Sequence, residues 1–188
     1  LYDEDLRELL ISEAAKLLAA GGVDHLSLRH LASNANTSTN AIYTLFGGKD
    51  PLVQEAIERA LASLTGAQAQ PSPERPTPDA VKALARSYRA WAKENPALYQ
   101  TIFTRVPLGT GARDVRVEPH GSDAMRPLRD LVERLVRAGV FRRDDAATVT
   151  ASIWASMHGY VAFEMGSGDA GDDLFEAHLD AIVRAWLA

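Results

Sequence analysis

Between Ser27 and Asp50 the chain reads SLRHLASNANTSTNAIYTLFGGKD, and this stretch constrains the fold more than any other. Leu28, Leu31 and Ala32 recur at helical spacing behind Ser27, whose hydroxyl is placed to cap a helix from Leu28 to about Ala35. A polar turn, Asn36-Thr37-Ser38, leads into a helix of about two turns from Ser38 to Leu45, with Ala41, Ile42 and Leu45 inward. Gly47-Gly48 breaks it. A helix that short does not persist in water alone, so the spacing predicts a helix-turn-helix whose second helix is held by its neighbours. Its outward face would be Thr39, Asn40, Tyr43 and Thr44. Such a face suits the major groove of DNA, with the Tyr43 hydroxyl and Lys49 suited to phosphate and Arg29 to a guanine edge. Helical hairpins with polar turns also occur in ordinary bundles, so spacing alone leaves both readings open.

The rest of the chain repeats the helical period. Leu6, Leu10, Ala14, Leu17 and Leu18 mark a first helix, stopped by Gly21-Gly22, and Asp50-Pro51 opens a fourth that runs to about Leu64. The segment TGAQAQPSPERPTPD, residues 65–79, is rich in Pro and poor in large apolar residues, and reads as a linker. Beyond it lie a helix with Val81, Leu84, Tyr88 and Trp91, a second restarted by Asn95-Pro96, and a loop over about 106–121. Three more helices follow, one carrying Met125, Leu128, Leu131, Val132 and Leu135, then about 145–165 and about 172–188. No segment alternates as a strand does, so the chain reads all-α, with about nine helices. The expected division is a three-helix helix-turn-helix domain over 1–50, a connecting helix over 51–64, the linker over 65–79 and a helical bundle over 80–188.

The formal charge is −5, and from His25 to Asp50 the charges are Arg29 and Lys49 against Asp50. A nucleic-acid function therefore rests on architecture rather than on charge. Cysteine is absent, which removes thiolate chemistry. The five histidines, His25, His30, His120, His158 and His178, form no i, i+4 metal pair, and Gly109-x-Gly111 follows no strand. The acidic run over 166–173 lacks the Glu that closes a calcium loop. The expectation is a non-enzyme without cofactor. No apolar run is long enough to span a membrane, and Asp3, Glu4 and Asp5 replace a basic signal start. The reading is cytoplasmic. A segment before Leu1 is expected, and a basic arm there could supply charge for DNA. Sixteen Arg against four Lys suggest a bacterial source.

Residues 6–55 resemble the DNA-binding domain of the tetracycline-repressor (TetR) family of bacterial regulators. The likeness is carried by LSLRHLA, the turn ANTS and AIYTLFGGKDPLV, with its Tyr-x-x-Phe followed by Lys and an acid. The resemblance implies phosphate contacts from Ser27, Thr37, Thr39, Tyr43 and Lys49, with Arg29, Asn40 and Thr44 reading bases. Asn36 stands where that family usually has Gly, tolerable because Asn also visits positive φ. Trp154, His158 and Gly159, spaced Trp-x-x-x-His-Gly, together with ENPALYQTIF, resemble a subgroup of TetR-like C-terminal domains. That implies a small hydrophobic or aromatic effector, lined by Tyr88, Trp91, Tyr99, Phe103, Met125, Trp154 and His158. Aromatic and Met side chains at helical spacing are equally ordinary core.

The last two helices are apolar over a wider arc than one core needs. In the TetR family these helices form a four-helix homodimer interface, which here implies Ile153, Val161, Phe175, Leu179, Ile182 and Trp186 at the contact. The expected function is a homodimeric transcriptional regulator, a repressor on a pseudo-palindromic operator, released by its effector. The alternative is a helical ligand-binding or scaffold protein whose helix-turn-helix no longer binds DNA.

Overall fold

The computed structural model describes residues 2–68, 76–103, 125–168 and 171–188. The loop expected over 106–121, and residues 69–75 of the expected linker, lie outside the described residues. Nine α-helices occur among them: α1 Tyr2–Gly21, α2 Leu28–Asn34, α3 Thr39–Phe46, α4 Lys49–Gln68, α5 Pro78–Glu94, α6 Pro96–Phe103, α7 Arg126–Arg137, α8 Ala146–Ser167 and α9 Asp172–Trp186. A 3-10 turn, Val23–His25, joins α1 to α2. The fold is all-α, as the periodicity predicts, and the described residues contain no strand, only an isolated antiparallel bridge between Phe141 and Leu187.

The described helices form two compact units. The first holds α1, α2, α3, α4 through Ser63, and α6. Its core is Leu10, Ala14 and Leu18 of α1, Leu31 of α2, Ile42 of α3 and Leu52 and Val53 of α4, all fully buried. Sequence alone groups α6 with residues 80–188, whereas α6 packs on α1 through a segment whose Leu98, Tyr99 and Ile102 are buried. The second unit is α5, α7, α8 and α9, around Tyr88, Val132, Leu135, Phe141, Val149, Val161 and Phe175.

Two local devices fix the ends of the short helices. Ser27 and Ser38 accept hydrogen bonds from His30 N (3.5 Å) and Ala41 N (3.1 Å), satisfying donors that a helix start leaves open. Asn36 adopts φ 51° between α2 and α3, and Gly47 adopts φ 79° as it ends α3. In the second unit, α5 and α9 run antiparallel along a seam of ion pairs: Lys82–Asp180 at 2.5 Å, Arg86–Glu176 at 2.7 Å and Arg89–Asp172 at 2.6 Å. The end of α9 is tied back to the α7–α8 connection, where Arg142 N donates to Trp186 O and Ala188 N donates to Val140 O.

The left-handed turn gives a stability prediction. Asn36→Ala should cost about 1 kcal/mol, because Ala lacks the polar side chain that eases αL, while Asn36→Gly should be neutral or stabilising. Urea unfolding midpoints of the two variants check the order; an Ala variant as stable as the Gly variant would mean that the turn relaxes out of αL.

Candidate nucleic-acid interface and effector cluster

The turn between α2 and α3 closes through Asn36 N to Ser33 O (3.2 Å) and Thr37 N to Ala32 O (2.8 Å). These bonds set α3 with Ile42 and Phe46 buried and Ala41 and Leu45 half-buried. Thr39, Asn40, Tyr43 and Thr44 are exposed, Tyr43 by 56%. Arg29 and Ser27 are exposed on α2 and at its cap, and Thr37 is half-buried in the turn. Arg29 on α2 and Thr39, Asn40, Tyr43 and Thr44 on α3 are thus all solvent-exposed polar side chains of the motif.

Two side chains are more committed than their spacing suggests. Thr44 Oγ1 donates to Asn40 O at 3.0 Å, so its proton turns back onto the helix and its lone pairs face outward. Lys49, half-buried, donates from Nζ to Val23 O at 3.2 Å and so clasps the first residue of α4 to the α1–α2 turn. An ammonium has three donors, leaving capacity for an anion. His30, beside Arg29, is exposed as well.

In the second unit Tyr88, Trp154 and His158 come together. The Trp154 and His158 rings stack with centroids 5.3 Å apart, and Tyr88 meets Trp154 edge-on at 5.0 Å. The Tyr88 hydroxyl and His158 Nδ1 share a hydrogen bond of 2.8 Å. Burial pushes the His158 pKa down, so the imidazole is neutral at neutral pH, a polar group inside an apolar cluster. Trp91 and Met125 are buried in their helical contexts. Tyr99 and Phe103 belong to α6 in the first unit, where their rings lie 5.0 Å apart.

Four of the six expected dimer residues are buried within the single chain. Ile153, Val161, Phe175 and Leu179 are at most 3% exposed within the single chain, so they fill the second unit's own core. Ile182 and Trp186 are half-buried, and the Arg142 guanidinium lies 4.5 Å over the Trp186 ring. The exposed arc is different: Ala155, Gly159, Ala162 and Phe163 on α8, and Leu174, Ala177, Ala181 and Ala185 on α9. Both arcs are apolar, and most of the larger side chains went inward, where they bury more area, while Phe163 and Leu174 stay exposed. Small residues three and four apart were the signal for the outer arc.

Among the described residues no group of His, Asp and Glu is placed to hold a metal, and no helix is long and apolar enough to cross a membrane. A surface groove lined by Arg7, Glu8, Ile11, Glu55, Glu58, Arg59 and Ala62 is an ion-pair seam, with Arg7 bound to Glu55 and Arg59 to Glu8.

Comparison with known proteins places both halves. Residues 10–56 match the family described as bacterial regulatory proteins, tetR family, and residues 81–184 match the tetracyclin repressor-like C-terminal domain. The chain is 24% identical over 183 residues to YobS of Bacillus subtilis (strain 168), named an uncharacterized HTH-type transcriptional regulator, covering 97% of this chain and 91% of that protein. A protein of unknown function from Rhodococcus sp. RHA1 superposes with a TM-score of 0.78 at 25% identity, covering 97% of this chain and 96% of that one. The TetR family regulator PfmR of Thermus thermophilus gives a TM-score of 0.62 at 24% identity, over 93% and 97% of the two chains.

The His158 environment predicts a pH dependence. Its folded pKa lies below its ordinary value, so as pH falls below about 6.5 the unfolded chain takes up a proton that the folded chain resists. Stability present above that pH should decline through the window and level off below the folded pKa. His158→Gln should flatten the fall in urea midpoint between about pH 7 and about pH 5.5; an unchanged slope would place the titration elsewhere.

Proposed function

The chain belongs to the TetR family of bacterial transcriptional regulators, a family of DNA-binding proteins rather than enzymes, and on that premise we propose that it is a cytoplasmic repressor. It would bind a pseudo-palindromic operator as a homodimer and leave it when a small hydrophobic or aromatic effector binds. The observation that carries the reading is α3, which exposes Thr39, Asn40 and Tyr43 while Ile42 and Phe46 anchor it. In this reading Ser27, Thr37, Thr39, Tyr43 and Lys49 hold phosphates, and Arg29, Asn40 and Thr44 face base edges, Thr44 as an acceptor only. A shift assay against DNA flanking the protein's own gene, over a range of salt, tests it. A steep salt dependence with a preferred site is expected. No shift at low salt would favour a ligand-binding or scaffold protein, a reading that the thin positive charge around α3 supports.

Two homodimer faces on α8 and α9 would meet through the exposed small residues. Ala181→Asp would bury an unpaired carboxylate in the dimer and should give a folded monomer. The effector would reach Tyr88, Trp154 and His158, with Trp91 and Met125 of the same unit as further lining. The Tyr88–His158 pair offers it a hydrogen-bonding group inside an apolar wall.

Substitutions separate positioning from reading. Lys49→Ala should weaken specific and random DNA alike and lower the salt slope by about 1, whereas Arg29→Ala should cost about 1–3 kcal/mol at one base pair per half-site and relax selection there. A selection from randomised operators would remove Arg29 from the reading set if the preferred bases did not change. Loss of specific binding alone in the Lys49 variant would make that residue a reader of bases.

A further inference from the structure

We infer that Arg89 is the positioning residue of the dimer face, a buried guanidinium that fixes α8 against α9 across their glycine-rich connection; this rests on the homodimer reading above. Arg89 lies on α5 and is 8% exposed. Its Nε and Nη2 donate to Glu164 Oε2 and Oε1 at 2.8 and 2.6 Å, and its Nη1 donates to Asp172 Oδ1 at 2.6 Å. Its Cζ stands 4.6 Å over the Phe175 ring. One side chain thus holds the last turn of α8, through Glu164, and the first residue of α9, through Asp172.

The sequence between those two carboxylates is rich in glycine. It contains Gly166, Gly168 at φ 98° and Gly171 at φ 88°, residues with the widest backbone freedom. Glu164 is not placed for the sake of its own helix. A carboxylate near a helix C-terminus faces the negative end of the dipole, and this one is 4% exposed, so it has also lost water. A buried ion pair is on average no better for stability than well-packed apolar side chains of the same volume. What the bidentate pair supplies is geometry: two parallel hydrogen bonds define a plane and a direction. The other rungs of the α5–α9 seam, Lys82–Asp180 and Arg86–Glu176, do not reach α8 and are more exposed.

The face that depends on this angle is built mainly of small residues, Ala155, Gly159 and Ala162 on α8 and Ala177, Ala181 and Ala185 on α9, with Phe163 and Leu174 exposed at its margin. Small side chains gain their attraction only at close backbone approach, and a gap of about 0.5–1 Å forfeits about a quarter to a half of each contact. A small change in the α8–α9 angle would open such gaps at one end of the face. Tyr88, adjacent to Arg89 on α5, carries the bond to His158, so the element that holds the angle also touches the effector cluster.

Sedimentation equilibrium of the full chain tests the inference with three variants. Arg89→Lys keeps the charge and loses the fork; Asp172→Ala removes one anchor at a site whose side chain is 85% exposed, where folding is not at risk. Asp173→Ala removes the neighbouring exposed acid, which shares the helix start, and serves as control. Arg89→Lys and Asp172→Ala should raise the dimer dissociation constant at least about tenfold with unchanged circular dichroism, and Asp173→Ala should leave it within about twofold of wild type. If Arg89→Lys unfolds, Asp172→Ala decides. A wild-type dimer that Asp172→Ala leaves intact, or that Asp173→Ala weakens equally, overturns the inference alone. A wild-type chain that stays monomeric overturns the homodimer reading and the inference with it.

Discussion

An eight-residue helix has too few hydrogen bonds to offset the cost of its first turn, so α3 exists only because its neighbours bury Ile42 and Phe46. Everything attributed to its outer face depends on that burial. Leu10, Ala14 and Leu18 of α1, Leu31 of α2 and Leu52 and Val53 of α4 complete the same core. Ser38 and Gly47 finish the two ends, the first by accepting a backbone bond and the second by turning left-handed. The inner half of α3 is therefore structural, and the outer half, Thr39, Asn40 and Tyr43, carries no packing duty that would oppose contact with DNA. The Lys49 bond to Val23 O adds a tie between segments on either side of the motif.

Positive charge is scarce around this surface. For a chain of net charge −5, recognition of DNA through this surface would depend on the fit of a polar helix face to the groove more than on guanidinium and ammonium contacts. Specific affinity would then come from hydrogen bonds at base edges in the major groove, where each good pair discriminates by about 1–3 kcal/mol.

The second unit is organised around polar side chains that had to leave water. Neighbours on α5, Tyr88 and Arg89, reach two parts of α8, His158 and Glu164, and each reach ends in a hydrogen bond of 2.8 Å or less. Buried polar groups satisfied in this way restrict how helices can slide, since any shift leaves a desolvated donor or acceptor unpaired. Apolar packing alone tolerates such shifts more readily.

What the sequence determined was local: periodicity, caps and breakers fall within a few residues of one another, and from them the helices, the Asn36 turn and the exposed Thr39, Asn40 and Tyr43 could be read. Helical periodicity states that a residue shares a face with its neighbours three and four positions away, but not which face meets the core. On α8 and α9 two apolar arcs competed; Ile153, Val161, Phe175 and Leu179 went inward, leaving alanine and glycine outside together with Phe163 and Leu174. Lys49 and Val23 O are 26 positions apart, Arg89 and Glu164 75 and Arg89 and Asp172 83. Such pairings depend on how whole helices cross, which only the tertiary structure decides, because the energy that selects them is area removed from water and polar groups satisfied across elements.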